Sequence, residues 1–76
     1  MEINKAFGEI VRNARKERKL SQEQLAELSG MHVNHISFIE RAKTSPSLQA
    51  MQQISVALGI KLSAMLETAE KLSGQN

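Results

Sequence analysis

The sequence predicts an all-α fold of five short helices. Apolar residues recur at steps of three and four along most of the chain, the spacing that lines one face of a helix. Gly30, Pro46 and Gly59 divide the 76 residues into segments of helix length. The apolar residues are mostly aliphatic, with two Phe, no Trp and no Tyr, and this mixture favours packed helices over a small β-barrel. We therefore expect one small helical domain over residues 1–76.

The first predicted helix covers about residues 3–18. Its apolar stripe follows the helical spacing and consists of Ile3, Phe7, Ile10 and Ala14. Gly8 lies inside it, where glycine lowers helix propensity. The net charge of the chain is only +2, but cations crowd the stretch before Leu20: Arg12, Arg15, Lys16, Arg18 and Lys19. Charge alone leaves two interpretations of this run open, a solvated surface and a patch that faces phosphates.

The second predicted helix has a start signal and a stop signal. Ser21 and Gln24 match a capping box, in which each side chain satisfies a free backbone amide of the other residue. Gly30 is the predicted stop, because glycine adopts the left-handed conformation without a steric penalty. The predicted buried side consists of Leu25, Ala26 and Leu28.

A third helix, over about residues 33–41, follows directly, with Ile36 and Ile39 facing the core. Two short helices joined by a few residues that include a glycine form a helix-turn-helix, here at about residues 21–41. Ser45 is the predicted N-cap of the fourth helix, and Pro46 is its predicted first-turn residue.

Two further apolar stripes predict where the fourth and fifth helices face the core. The stripe of the fourth helix ends at Gly59 and consists of Leu48, Met51, Ile54 and Leu58. The fifth helix, over about residues 62–73, carries Leu62, Met65, Leu66, Ala69 and Leu72.

Composition argues against several classes of protein. The chain has no cysteine, which excludes disulfides and thiolate metal sites and fits a cytoplasmic protein. No apolar run approaches the roughly 20 residues of a membrane span, and the N-terminus is too polar for a secretion signal. His32 and His35 have no third ligand at a suitable spacing, so we expect no metal. The sequence contains no glycine-rich phosphate loop and no activated nucleophile, so we expect neither a cofactor nor an enzyme.

An ordered set of residues carries a family resemblance. Leu-Ser-Gln-Glu-Gln-Leu-Ala occupies residues 20–26, and after Gly30 the pattern Ile-Ser-Phe-Ile-Glu-Arg occupies residues 36–41. Pro46 and Leu-Gly-Ile at residues 58–60 follow at the expected distances. Over roughly residues 5–70 the chain resembles the XRE family, the Cro and phage-repressor class of helix-turn-helix proteins, and in size it is similar to restriction-modification controller proteins. The resemblance implies a lambda-repressor-like domain that binds double-stranded DNA.

The resemblance also assigns the residues that would read bases. In helix-turn-helix proteins the second helix of the motif enters the major groove, where side chains distinguish base edges. The positions implied here are His32, Val33, Asn34, His35 and Ser37. Asn34 is the main candidate, because a carboxamide pairs with both N6 and N7 of adenine.

Three of these positions have an alternative interpretation, and His35 lies either beside the DNA backbone or at an outer base. Val33 either meets a thymine methyl group or joins the core, since it precedes Ile36 by three residues. His32 either reads a base or caps the helix. Other family members carry Arg or Gln at the Val33 position, and their absence here removes a possible bidentate contact with guanine, so we expect DNA shape to carry more of the discrimination in this chain.

The remaining implied DNA contacts are to the backbone. The phosphate-binding positions are Ser21, Gln22, Arg41, Lys43, Thr44 and Ser47, although helix capping alone could account for the first two. The resemblance pairs Glu40 with Arg15 as a structural ion pair that orients the reading helix. Phe38 is not on the face of Ile36 and Ile39, and three sites remain open for it: the following loop, a partner subunit or a thymine methyl group.

A homodimer is expected, because one unit of this size buries too little surface for tight specific binding. Its predicted interface consists of Ile60, Leu62, Met65, Leu66, Ala69 and Leu72. The alternative is that these residues only close the core, and we expect Leu62 and Leu66 to contribute to the core in either case. The expected function is a transcriptional regulator of palindromic operators, either a phage-type repressor or a restriction-modification controller. The alternative is an antitoxin that represses its own operon. A toxin or an RNA polymerase subunit is a further candidate partner, whereas no membrane and no small-molecule effector is expected.

Overall fold

A computed structural model describes residues 1–74, and Gln75 and Asn76, which the predicted domain includes, lie outside it. The five helices are α1 (Ile3–Glu17), α2 (Gln22–Ser29), α3 (Val33–Glu40), α4 (Leu48–Leu58) and α5 (Leu62–Ser73). Residues 1–74 contain no strand, so the predicted all-α class is confirmed. In this part of the chain no helix has the length and apolar character needed to cross a bilayer.

The long first helix organises the fold. α1 packs against α3, α4 and α5, and α2 packs against α3 and α4. Every helix contributes to the core between them, whose largest fully buried side chains are Val11, Leu25, Ile36, Ile39, Ile54 and Met65. The arrangement leaves the N-termini of α2 and α3 outside the core.

The predicted signals at the ends of α2 are confirmed. The backbone N–H of Gln24 donates to Ser21 Oγ at 3.0 Å, and the backbone N–H of Ser21 donates to Gln24 Oε1 at 2.8 Å. Gly30 has a φ of 70°, and the N–H that follows it, on Met31, donates to the carbonyl of Ala26. This is the Schellman arrangement, which satisfies carbonyls at a helix end.

α1 and α3 end in the same way without a glycine. Lys19 and Ala42 both have a φ of 57°. After them, the N–H of Leu20 donates to the carbonyl of Arg15, and the N–H of Lys43 donates to the carbonyl of Phe38. The left-handed conformation costs a residue with a Cβ roughly 1–2 kcal/mol, so the packing around these two turns holds them in place.

The prediction for the start of α4 is wrong by two residues. Ser47, not Ser45, is the N-cap, and its Oγ accepts from the N–H of Ala50 at 3.0 Å. Ser45 Oγ instead accepts from Nδ2 of Asn4, at 2.7 Å, in a contact between the loop and α1. Consequently Leu48 opens the helix on its outer side and is 67% exposed, while Ala50 is buried.

The predicted core face of α2 is wrong at Leu28, which is 58% exposed. The buried side of α2 runs through Leu25, Ala26 and Ser29, and Leu28 lies on the flank of this face. Ser29 takes a core position because its hydroxyl donates to the carbonyl of Leu25 at 2.7 Å, which satisfies the polar group.

Gly8 allows α1 and α3 to approach each other closely. A Cβ added to Gly8 would lie 2.5 Å from the carbonyl oxygen of Ile39 and 2.8 Å from that of Glu40. Both distances are far below van der Waals contact, and backbone atoms cannot rotate away as a side chain can. The end of α3 therefore lies directly on α1, and the two helices can approach this closely because Gly8 has no side chain.

Candidate nucleic-acid interface

A buried ion pair joins α1 to the end of α3. Arg15 Nε donates to Glu40 Oε2 at 2.7 Å, and Arg15 Nη2 donates to Glu40 Oε1 at 3.1 Å. Arg15 Nη1 donates to the carbonyl of Leu20, in the turn before α2, at 2.8 Å. A bidentate pair of this kind is directional as well as strong, so one guanidinium fixes α3 and the start of α2 relative to α1. The pair occupies the positions that the resemblance assigns to it.

Gln22, the first residue of α2, makes a contact that the sequence did not suggest. Its Nε2 donates to Glu40 Oε1 at 3.1 Å, so the Glu40 carboxylate accepts from two helices at once. The second proton of the amide and the backbone N–H groups of the first turn of α2 are not used by this contact. Gln22 can therefore hold the scaffold and still face an anion at the N-terminus of α2.

A basic cleft lies where α1, α2 and α3 meet. It has a volume of about 360 Å³ and is lined by Arg12, Arg15, Lys16, Gln22, Glu40 and Arg41. Glu40 is neutralised by Arg15, whereas Arg12, Lys16 and Arg41 form no ion pair with a carboxylate of residues 1–74. The cleft thus carries an excess of positive charge beside a helix N-terminus, which suits an anion.

The structure divides the run of cations in α1 by role. Arg15 is buried in its ion pair. Arg18 Nε donates to the carbonyl of Leu58, at the end of α4, at 2.7 Å, and Arg18 Nη1 donates to the carbonyl of Ala14. Arg12 and Lys16 are exposed and line the cleft. Neither interpretation of this run fits Arg15 and Arg18, whose guanidinium groups bond within the chain, and contact of Arg12 and Lys16 with phosphates stays a prediction.

The start of α3, at the opposite end of this helix from the cleft, presents polar side chains. His32 is the N-cap, and its Nδ1 accepts from the backbone N–H of Asn34 at 3.2 Å. His32 and Asn34 are exposed, and His35 is half-buried. Val33 is also half-buried and packs against the core, so part of its surface is used by the fold. The base-reading roles of these residues stay predictions.

The end of α3, at the basic cleft, carries a polar cluster around Arg41. Arg41 Nε donates to Ser37 Oγ at 3.2 Å, and Arg41 Cζ lies 5.5 Å from the centre of the Phe38 ring. Lys43, in the loop that follows, is exposed, and Thr44 is half-buried. The start of α2 and the end of α3 meet at the basic cleft, so Gln22 and Arg41, two of the predicted phosphate contacts, lie on one surface.

The predicted dimer interface needs a correction at two positions. Met65 and Ala69 are fully buried within the single chain, because this face of α5 packs on α1, and they are core residues. Ile60, Leu62 and Leu66 are half-buried, and Leu72 is 43% exposed. A mostly apolar groove of about 280 Å³ runs between α1 and α5, and its lining includes Ile60 and Leu72.

The arrangement suits binding of a long polyanion rather than chemistry on a small molecule. The cleft brings Arg12, Lys16 and Arg41 together with Gln22, the first residue of α2, and Lys43 is a further exposed cation in the loop after α3. Within residues 1–74 no group of three or more His, Asp or Glu side chains is placed to hold a metal ion.

Comparisons with known proteins identify the family. A family model described as helix-turn-helix matches residues 11–65. Over 66 residues the chain is 36% identical to control protein C.SmaI of Serratia marcescens, covering 87% of this chain and 79% of that protein. Over 59 residues it is 41% identical to the immunity repressor protein of Bacillus phage phi105, covering 78% of this chain and 41% of the repressor.

A solved structure agrees with the sequence relatives. The restriction-modification controller protein C.AhdI from Aeromonas hydrophila matches with a TM-score of 0.79 and 32% sequence identity, over 82% of this chain and 94% of that chain. The chain spans most of the two controller proteins but less than half of the phage repressor. On the extent of the family match and these identities, the chain belongs to the helix-turn-helix family of the XRE type.

Proposed function

We propose that this chain is a transcriptional regulator that binds double-stranded DNA, with α3 in the major groove and the N-terminus of α2 against the backbone. The observation that carries the proposal is the basic cleft formed by α1, the start of α2 and the end of α3, the helix whose other end carries the exposed side chains of His32 and Asn34. Its relatives support it, since they are named as repressors and controller proteins. Regulation of a restriction-modification system or of phage genes is the role that these names favour.

The backbone contacts of the proposed complex come from two segments of the chain, the start of α2 and the residues that follow α3. The predicted phosphate-binding residues are Ser21, Gln22, Arg41, Lys43, Thr44 and Ser47. The side-chain oxygens of Ser21 and Ser47 already accept from their own helices, so these two serines reach phosphates through the hydroxyl proton or the backbone. To the predicted set we add Arg12 and Lys16, which line the cleft as free cations. Such contacts fix the register on the duplex without reading sequence.

The sequence would be read by the exposed side of α3. We assign this role to His32, Val33, Asn34, His35 and Ser37. Asn34 carries most of it, since its carboxamide is exposed while only its backbone N–H is used by the cap of His32. Val33 contributes an apolar surface limited by its contact with the core.

A homodimer completes the proposal. Two copies related by a twofold axis would read half-sites about 34 Å apart, which gives a palindromic operator. The candidate interface consists of the predicted apolar residues of α5, and of the turn before it, that are not fully buried within the single chain: Ile60, Leu62, Leu66 and Leu72. A toxin or an RNA polymerase subunit stays a prediction from the resemblance. The proposal places the chain with the DNA in the cytoplasm.

Selection of bound sites from a random duplex library, at about 150 mM salt, tests this function. We expect enrichment of a palindrome whose half-sites lie one helical turn apart. Asn34→Ala should lose roughly 1–3 kcal/mol of specific affinity and relax the preference at one base pair of each half-site. Gln52→Ala, which removes an exposed carboxamide from α4, is the matched control and should select the same sites as the unchanged protein. A folded chain that enriches no sequence would contradict the proposal.

A further inference from the structure

Phe38 is an exposed aromatic residue on the helix assigned to DNA reading. It is 44% exposed, while the core face of α3 is formed by Ile36 and Ile39. The Arg41 guanidinium lies over its ring, with Arg41 Cζ 5.5 Å from the ring centre. This distance is within the range of a cation–π contact. The ring thus gives one side of Arg41 a fixed surface.

Ser37 holds the same guanidinium through a hydrogen bond. Its Oγ accepts from Arg41 Nε at 3.2 Å, one helical turn along α3. Within residues 1–74 neither Nη1 nor Nη2 of Arg41 donates to a protein acceptor. Nη1 and Nη2 can therefore donate in parallel to two oxygens of a phosphate. Arg41 also lines the basic cleft.

We propose that Ser37 and Phe38 are positioning residues, which hold Arg41 in the rotamer that binds a DNA phosphate. The inference rests on the proposed function. A free arginine side chain loses many rotamers when it binds, and a side chain already held in place loses fewer, so the complex becomes more stable. Phe38 acts through Arg41 and does not contact a base, so it does not affect which DNA sequence the protein prefers.

A double-mutant cycle on DNA binding tests the inference. The proteins are the unchanged chain, Phe38→Leu, Arg41→Ala and the double variant, each titrated with a duplex of the selected palindrome at several salt concentrations. Leucine keeps an apolar side chain and removes the π face. Phe38→Leu should weaken binding roughly two- to fivefold, the equivalent of an exposed cation–π contact. In the Arg41→Ala background the same change should have no effect, because its partner is gone.

Two further readouts separate positioning from direct contact. Arg41→Ala should reduce the slope of log affinity against log salt by about 0.9 for each phosphate that Arg41 neutralises, and Phe38→Leu should leave the slope unchanged. Phe38→Leu should also leave the selected palindrome unchanged. Ser37→Ala should also weaken DNA binding, and this loss of affinity should be smaller in the Arg41→Ala background. Val56→Ala, which shortens an exposed apolar side chain on α4, is the matched control and should bind as the unchanged chain does.

Additive effects of Phe38→Leu and Arg41→Ala would overturn the inference, since Phe38 would then act independently of Arg41. A changed base preference in Phe38→Leu would overturn it too, and would place the ring against a base. In both cases binding by the unchanged chain keeps the proposed function intact. Failure of the unchanged chain to bind any duplex would refute both. Because Phe38 is exposed, its variants should fold, which circular dichroism can check.

Discussion

Gly8→Ala tests whether the close contact between α1 and α3 positions the reading helix. The new Cβ would lie 2.5 Å from the carbonyl oxygen of Ile39, whereas ordinary contact begins at 3.4 Å, so the helices must separate by about 0.9 Å. Overpacking of a core costs roughly 1–3 kcal/mol, and a clash with rigid backbone belongs at the upper end of that range. Alanine recovers about 1 kcal/mol through its higher helix propensity. We expect a net loss of about 2 kcal/mol in the free energy of unfolding.

Urea denaturation followed by circular dichroism measures this change, with thermal melting as a second readout. For a domain of this size, a loss of about 2 kcal/mol lowers Tm by roughly 8–16 °C. Lys5→Ala, an exposed change in the same helix, is the control and should alter stability by less than about 0.5 kcal/mol. Unchanged stability of Gly8→Ala would refute the tight contact between α1 and α3. DNA affinity should fall as well, because the end of α3 is displaced.

Three further changes test other parts of the structure. Glu40→Leu should cost about 3–5 kcal/mol in urea denaturation, because it leaves the Arg15 charge buried without a partner, while adding Arg15→Met should recover part of this loss. His32→Ala should lose roughly 0.5–1 kcal/mol of stability through the missing N-cap, and His32→Ser should retain the cap; equal stability of the two variants would speak against capping. Leu72→Glu should convert the dimer to a monomer in analytical ultracentrifugation. Val56→Glu, at an even more exposed apolar site on α4, is the control and should leave the dimer intact. If both variants dissociate the dimer, or neither does, α5 is not the interface.

Local signals made most of the fold predictable. The capping box at Ser21 and the left-handed Gly30 define α2 through atoms that lie within a few residues of each other, so the sequence contains all the necessary information. The start of α4 was different, because Ser45 and Ser47 are both good caps. A hydrogen bond from Asn4, 41 residues away, engages Ser45, and no local pattern contains that contact.

The candidate site shows the same division between local and distant information. The stripe on α5 predicts an apolar helix face but not which part of it the chain itself covers, so the predicted interface includes Met65 and Ala69, which are buried within the single chain. From the sequence alone, Gly8 only lowers the helix propensity of α1. The carbonyl oxygens that a Cβ at this position would meet belong to α3, so no pattern within α1 shows why glycine is needed. The Arg15–Glu40 pair was accessible only through the family resemblance, because spacing alone does not relate two residues 25 positions apart.

The cap on α3 also sets the chemistry of the first residue at the proposed DNA surface. Because His32 Nδ1 accepts from the N–H of Asn34, that nitrogen carries no proton, and the neutral imidazole is the tautomer protonated at Nε2. Nε2 is then a donor and has no lone pair to offer. In the major groove it can pair with guanine N7 or O6, adenine N7 or thymine O4, but not with the amino group of cytosine. A hydrogen bond made to stabilise a helix end thereby excludes one base edge from recognition by His32.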